Sequence, residues 1–282
     1  MVTFVSVMKY EQLKVNKALE QELAAMPAPL LDIVSHVLMA GGKRLRPLLT
    51  LLSARLFGAE GPKLYELAVI PEMIHVATLL HDDVLDEAES RRGRKSAHLI
   101  YGTAPAILAG DALLAAASHK TASFDMPSLL TCVSEAVLMT AAGEAHEIAL
   151  QRSMSHSLKE YIDIIAGKTG WLLKGSCRLG ALYAGATPEQ VEAISDYGLN
   201  LGIAFQIVDD YLDVCGDQNI IGKPVGSDAK LNKSTYASIY GIEATISRAT
   251  ELLDRAEEII APYYDQAEVF HAVIEQLRGQ LK

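Results

Sequence analysis

The chain has 282 residues, half of them hydrophobic, with 35 acidic against 25 basic side chains and a net charge of −10. Such a length and apolar content can bury a large core, and the acidic balance excludes a general nucleic-acid binder, which needs a positive surface. Cys132, Cys177 and Cys215 lie far apart and make neither a zinc-like spacing nor an even disulfide framework, as suits buried thiols in a reducing cytoplasm.

Met1 to Lys14 has no basic leader and no small-residue cleavage site, so no signal peptide is expected. Beyond it, apolar residues recur at helical spacing almost throughout, while alternating strand-like runs are scarce. The spacing predicts helices near 8–25, 29–39, 43–57, 64–89, 104–121, 127–153, 158–184, 188–215 and 243–278. That is an all-α bundle, read as a single domain over 1–282.

Gly41-Gly42-Lys43-Arg44-Leu45-Arg46-Pro47 opens the third helix; its glycines let the backbone approach a ligand, and Lys43 and Arg46 share a helix face. The fourth helix runs to His81-Asp82-Asp83-Val84-Leu85-Asp86, with Asp82 stacked over Asp86 at i and i+4. A predicted loop at Ser90–Gly93 follows, overlapping the basic run Arg91-Arg92-Gly93-Arg94-Lys95. Leu99 to Ser118 is the most membrane-like stretch, yet Gly102, Pro105, Gly110 and Asp111 interrupt it, so a buried helix is expected and no membrane span.

Capping boxes at Ser157–Glu160 and Thr187–Gln190 open the helices at 158 and 188. Lys168-Thr169 falls in a largely apolar helix, where a lysine can snorkel to solvent. The helix from 188 ends on Val208-Asp209-Asp210-Tyr211-Leu212-Asp213, with Gln206 three residues before the motif. Gly216 to Lys233 reads as a loop; Lys223 and Lys233 fit it to act as a lid over a metal site, or as an ordinary surface loop. The helices around 64–89, 104–121 and 188–215 are apolar on most faces, which marks them as central.

One Asp-Asp-x-x-Asp alone is most simply a solvated acidic helix end. Two copies, each ending an apolar helix, would face each other in a bundle as a set of hard oxygen ligands. Mg²⁺ suits such a set, because it takes a few carboxylates, keeps some waters and draws its other ligands from substrate phosphates. Glu72-Met73-Ile74-His75 has the Glu-x-x-His spacing of di-iron bundles, but beside the twin aspartate motifs a di-iron or zinc centre is the less favoured reading. The two basic clusters then read as diphosphate ligands, with arginine binding in bidentate fashion and lysine as a point charge.

In this order the segments resemble the trans-isoprenyl diphosphate synthases, which include farnesyl, geranylgeranyl and longer polyprenyl diphosphate synthases. The likeness runs from Gly41 to about Tyr240. It implies the all-α isoprenoid synthase type I fold around an apolar cavity, a homodimer, and a cytoplasmic enzyme. It also implies that Lys43, Arg46, His75 and Arg92 hold isopentenyl diphosphate. Arg91, Lys168, Gln206, Lys223 and Lys233 would hold an allylic diphosphate, with Thr169 near the reacting centre. Asp82, Asp86, Asp209 and Asp213 would carry Mg²⁺, three ions in the closed complex, and Asp83 joins Asp82, Asp86, Lys168 and Thr169 in the implied catalytic set.

The implied reaction ionises the allylic C–O bond. The double bond of isopentenyl diphosphate attacks the cation, and proton loss to the released diphosphate yields a chain one isoprene unit longer. One departure stands out: the usual Gly-Glu-x-x-Gln reads Gly143-Glu144-Ala145-His146-Glu147 here, and His146 is a candidate neutraliser of the added charge.

A terpene cyclase shares the fold and the first motif, but usually lacks both the Gly-Gly-Lys-Arg-Leu-Arg-Pro segment and a second all-aspartate motif. Non-catalytic synthase subunits tend to have degraded motifs, and both are intact here. A purely structural bundle leaves six aspartates unexplained. Ala77 and Thr78 are small at positions where short-chain members carry an aromatic residue. This places the floor of the product tunnel deeper, at Leu113, Leu114, Val137 or Met139, and predicts hexaprenyl to octaprenyl products. Lys233-Ser234-Thr235-Tyr236 is similar to some short-chain bacterial synthases, so a farnesyl or geranylgeranyl product is the alternative.

Overall fold

The computed structural model describes residues 4–151, 157–215, 235–263 and 266–281. The order is α1 (Phe4–Ala24), α2 (Ala28–Leu38), α3 (Leu45–Leu56), α4 (Lys63–Leu85), a hairpin of β1 (Ser90–Arg91) and β2 (Arg94–Lys95), α5 (Ala97–Tyr101), α6 (Thr103–Ala122) and α7 (Pro127–Gln151). Then come α8 (Leu158–Ile165), one π-helical turn (Ala166–Gly170), α9 (Trp171–Tyr183), α10 (Pro188–Cys215), α11 (Tyr236–Tyr240), α12 (Ile242–Ile260) and α13 (Glu268–Arg278). The all-α reading is correct. Among the described residues no helix is long and apolar enough to cross a membrane.

The chain divides into two compact units, Met1–Ser134 with Leu179–Gly185, and Glu135–Arg178 with Ala186–Lys282. In the first unit α4 is the hub and packs against α1, α2, α3, α5 and α6. Its buried residues, among them Leu67, Ile70, Met73, Ile74, Ala77 and Leu80, cover most of its circumference. In the second unit α10 has that place, against α8, the π turn, α11, α12 and α13. Tyr197 of α10 sits edge-on to Phe270 of α13 with ring centres 5.1 Å apart, and donates to the Phe270 carbonyl at 3.2 Å.

Several sequence expectations change, the helix predicted at 158–184 among them, which the π turn divides into α8 and α9. The predicted helix at 64–89 stops at Leu85 because Glu87 turns left-handed, with φ 49°. Ala88 N then donates to Asp83 O and Glu87 N to Val84 O, the paired bonds of a Schellman ending. The predicted loop at 90–93 is a hairpin instead, with Ser90 opposite Lys95. Its turn residues Arg92 and Gly93 both have positive φ, the I′ geometry that matches strand twist.

The predicted helix at 243–278 is two helices, parted by a 3₁₀ turn at Ala261–Tyr263 whose Pro262 has no amide to continue the ladder. Finally, α6 buries one stripe, Ala106, Ala109, Gly110, Leu113, Ala117 and Thr121, and leaves Ile107 and Leu108 exposed. It is therefore amphipathic in its packing despite its even apolar composition.

Candidate functional site

The turn before α3 is built around Arg44. This residue is left-handed, with φ 52°, and its guanidinium is buried. It donates to Glu72 Oε1 at 2.6 Å, to the Leu38 carbonyl at 2.8 Å and to Asn16 Oδ1 at 3.0 Å. Breaking such a buried pair would leave an uncompensated charge, so the turn is strongly fixed. Glu72 is thereby an ion-pair partner of Arg44 rather than half of a di-iron motif.

Arg46 lies one helical step inside, its Nε buried with no hydrogen-bond partner among the described residues. Burial pushes its pKa down to about 10, opposed by Glu72 and aided by Arg92. It remains a cation near neutrality. Arg92, at the hairpin turn, donates to the Gly41 carbonyl. A Cβ on Gly42 would stand 3.1 Å from the Arg92 Cζ, so a glycine here admits the guanidinium. His75 is held well below the ordinary histidine pKa, first by burial and then by the fields of Arg46, Arg92, Arg91 and Arg44. Arg46, His75 and Arg92 are thus brought together, while Lys43 beside them is exposed.

The Schellman ending and the hairpin turn the chain back so that Arg91 reaches α4. Its Nε and Nη2 lie 2.8 and 2.7 Å from Asp83 Oδ1. Asp83 is buried, whereas Asp82 and Asp86 are half-buried. The aspartates of the first motif therefore differ: Asp83 anchors Arg91, and Asp82 and Asp86 stand one turn apart.

In the second unit the motif differs again. Asp210 is buried and accepts from Tyr161 Oη at 2.5 Å, Tyr236 N at 2.8 Å and Gln206 Nε2 at 3.2 Å. Asp213 is also buried, and Asp209 is half-buried. Thr169 Oγ1 donates to Gln206 Oε1 at 3.3 Å, which links the π turn to the motif. Lys168 Nζ lies 2.8 Å from Glu144 Oε2 and bonds Glu147 as well. Burial lowers the Lys168 pKa, but Glu147 and Glu144 outweigh it and hold the ammonium above its ordinary value. The lysine does not snorkel.

Backbone contact explains this pose. A Cβ on Gly167 would stand 2.6 Å from Gly143 Cα, and one on Gly202 would stand 2.6 Å from Gly170 Cα. The π turn is therefore pressed against α7 on one side and α10 on the other. Trp171 N bonds the Ala166 carbonyl, the i→i+5 pattern that often marks a functional site. Lys223 and Lys233, with the Gly222–Asp228 loop, lie outside the described residues.

The sequence reading missed three partners, Arg44, Tyr161 and the Tyr236 amide. Arg44 had a signal in its basic segment; Tyr161 and Tyr236 are remote in sequence from Asp210 and had none.

The model of the family described as Polyprenyl synthetase matches residues 27–277. The chain belongs to that family. A short chain isoprenyl diphosphate synthase of Methanothermobacter thermautotrophicus is 34% identical over 87% of this chain and 77% of its own. An octaprenyl diphosphate synthase of Escherichia coli is 32% identical over 87% and 79%. Among solved structures, a polyprenyl synthase of Caulobacter crescentus, complexed with calcium and isoprenyl diphosphate, matches with a TM-score of 0.87 and 31% identity over 99% of this chain and 96% of its own. The chain is accordingly a prenyltransferase of the diphosphate synthase type, and its relatives span short to long products.

Proposed function

We propose that this synthase joins isopentenyl diphosphate to an allylic diphosphate with Mg²⁺, using two cationic poles of different construction. The observation that carries the reading is Arg46, a guanidinium whose buried Nε has no partner among the described residues, beside Arg92 and a neutral His75. Such a donor in a positive field awaits an oxyanion. Arg46, His75, Arg92 and the exposed Lys43 form the pole for isopentenyl diphosphate. Arg91, Lys168 and Gln206, with Lys223 and Lys233, form the allylic pole, and Thr169 lies beside the reacting carbon. The unbroken family match over 27–277 supports reading 1–282 as one catalytic domain.

Among the described residues no three His, Cys, Asp or Glu side chains gather as a closed metal site. The donors on offer are carboxylates, Asp82 and Asp86 on one helix and Asp209 and Asp213 on another. An ion held by so few hard oxygens completes its shell with water and phosphate, which fits Mg²⁺ and three ions in a closed complex. When bound, Mg²⁺ supplies positive charge that stabilises the departing diphosphate. The chain's own cations orient both diphosphates, and its apolar helices keep water from the carbocation.

Leu99, Ile100, Ile107 and Leu108 are exposed on α5 and α6, an apolar face that supports a homodimer. Cys132 and Cys177 are buried, which suits the cytoplasm. The test is incubation of the purified chain with isopentenyl diphosphate, farnesyl diphosphate and Mg²⁺, followed by chromatography. Elongated linear diphosphates are expected, and chelation should stop their formation. A cyclic hydrocarbon, or no elongation, would overturn the reading.

A further inference from the structure

Glu147 is where the chain departs from the Gly-Glu-x-x-Gln pattern, and its partner is Lys168 rather than the adjacent His146 proposed above. One ammonium stands between two carboxylates, Glu144 and Glu147, in a group whose side chains are only 14 to 22% exposed. The three carry a net charge of −1; a glutamine at 147 would make them neutral. The group cannot drift, because α7 and the π turn meet through Gly143 and Gly167. It also adjoins the second aspartate motif, through Thr169, Gln206 and Asp210.

We infer that Glu147 is a positioning residue that latches Lys168, so that the allylic diphosphate binds against a net negative group and more weakly than it would with glutamine there. An ammonium has three N–H bonds. With two engaged by carboxylates, one remains for a phosphate oxygen. The alternative is to break the Glu147 pair, which strands a half-buried carboxylate beside an incoming anion. Either route lowers affinity at this pole and leaves the isopentenyl diphosphate pole untouched. The inference rests on the proposed assignment of Lys168 to the allylic diphosphate.

The experiment compares the full chain with Glu147→Gln and Glu147→Asp in Mg²⁺. Steady-state kinetics with farnesyl and isopentenyl diphosphates supply one readout. The second is the emission of Trp171, the sole tryptophan, three residues from Lys168, during titration with inorganic diphosphate. Removing one charge at close range in a partly dry site should lower the KM for farnesyl diphosphate roughly tenfold. The KM for isopentenyl diphosphate should stay within about twofold, and inorganic diphosphate should bind more tightly by a similar factor. Glu147→Asp keeps the charge and should return both values towards wild type.

An unchanged or raised farnesyl diphosphate KM in Glu147→Gln would overturn the latch, as would Glu147→Asp behaving like Glu147→Gln. If the wild type elongates and the variants show no split, the latch alone falls. If the wild type does not elongate but Glu147→Gln still tightens diphosphate binding, the latch stands and the reaction assignment falls. If the wild type neither elongates nor binds diphosphate, both fall.

Discussion

Asp83 and Asp210 hold the same place in two copies of one motif, and both bond within the protein: Asp83 to Arg91, Asp210 to Tyr161, Gln206 and the Tyr236 amide. Asp82 and Asp209 are more open. The two kinds of aspartate should therefore fail differently. Asp82→Ala and Asp209→Ala should lose several powers of ten in kcat while circular dichroism and Tm stay near wild type. Asp210→Ala leaves buried donors unpaired and should cost about 2–4 kcal/mol, read by thermal or urea unfolding. Near-normal turnover of folded Asp82→Ala would sink the assigned mechanism. His75 offers a second test. Burial and the surrounding arginines hold its folded pKa below the unfolded value of about 6.5. The unfolded chain then takes up the proton more readily, so this stabilisation is present above about pH 6.5 and is lost on acidification. His75→Asn should flatten the fall in Tm between about pH 7 and 5, and an unaltered acid limb would show that His75 is not held neutral.

Helix caps are local, and these were legible. Ser157 and Glu160 bond reciprocally, as do Thr187 and Gln190, where the spacing placed them. The π turn was not legible, because it depends on glycine contacts between segments far apart in sequence. Nor was the two-residue hairpin, whose strands are too short to show a period. Gly167→Ala should cost about 1–3 kcal/mol, since its Cβ would press on the α7 backbone. Where that variant still folds, Lys168 should be displaced and the allylic KM altered; a stable variant with unchanged KM would disprove the close contact. The basic turn and the hairpin can be separated in the same way. Lys43→Ala or Arg46→Ala should raise the KM for isopentenyl diphosphate by roughly tenfold or more, as expected for lost charge-assisted bonds. Arg91→Ala should act mainly on the allylic substrate. Equal effects on both would show that the poles are wrongly assigned.

Across the molecule a net charge of −10 coexists with a basic cluster around Arg46 and Arg92, so the overall balance does not reveal where the cations gather. Motif order singled out Arg46, His75, Arg91, Arg92, Lys168 and Gln206 as the proposed diphosphate ligands, but not the Arg44–Glu72 pair or the Tyr161 hydroxyl that bonds Asp210. Product length is the property most dependent on the whole chain, because the proposed path of the apolar tail runs from Asp82 back along α4. His81 on that helix reaches the Ile107 carbonyl of α6 at 3.1 Å, and Ala77, one turn earlier on the same face, is fully buried. Thr78 turns its hydroxyl back to the His75 carbonyl at 2.8 Å, which leaves a small side chain there too. Of the deeper candidates Leu113 is buried, and Leu114, Val137 and Met139 are half-buried. With no aromatic ring at 77 or 78, the proposed stop is a deeper one and the predicted product is hexaprenyl to octaprenyl diphosphate. Ala77→Phe puts a ring one turn below the aspartates proposed to hold Mg²⁺ and should shorten the product by several isoprene units. Overpacking at so buried a site costs about 1–3 kcal/mol, so Ala77→Leu serves as a milder variant with an intermediate shift. A wild type that stops at farnesyl diphosphate would defeat the small-residue reading. If Ala77→Phe is folded, active and unchanged in product length, the tail runs along a different face of α4.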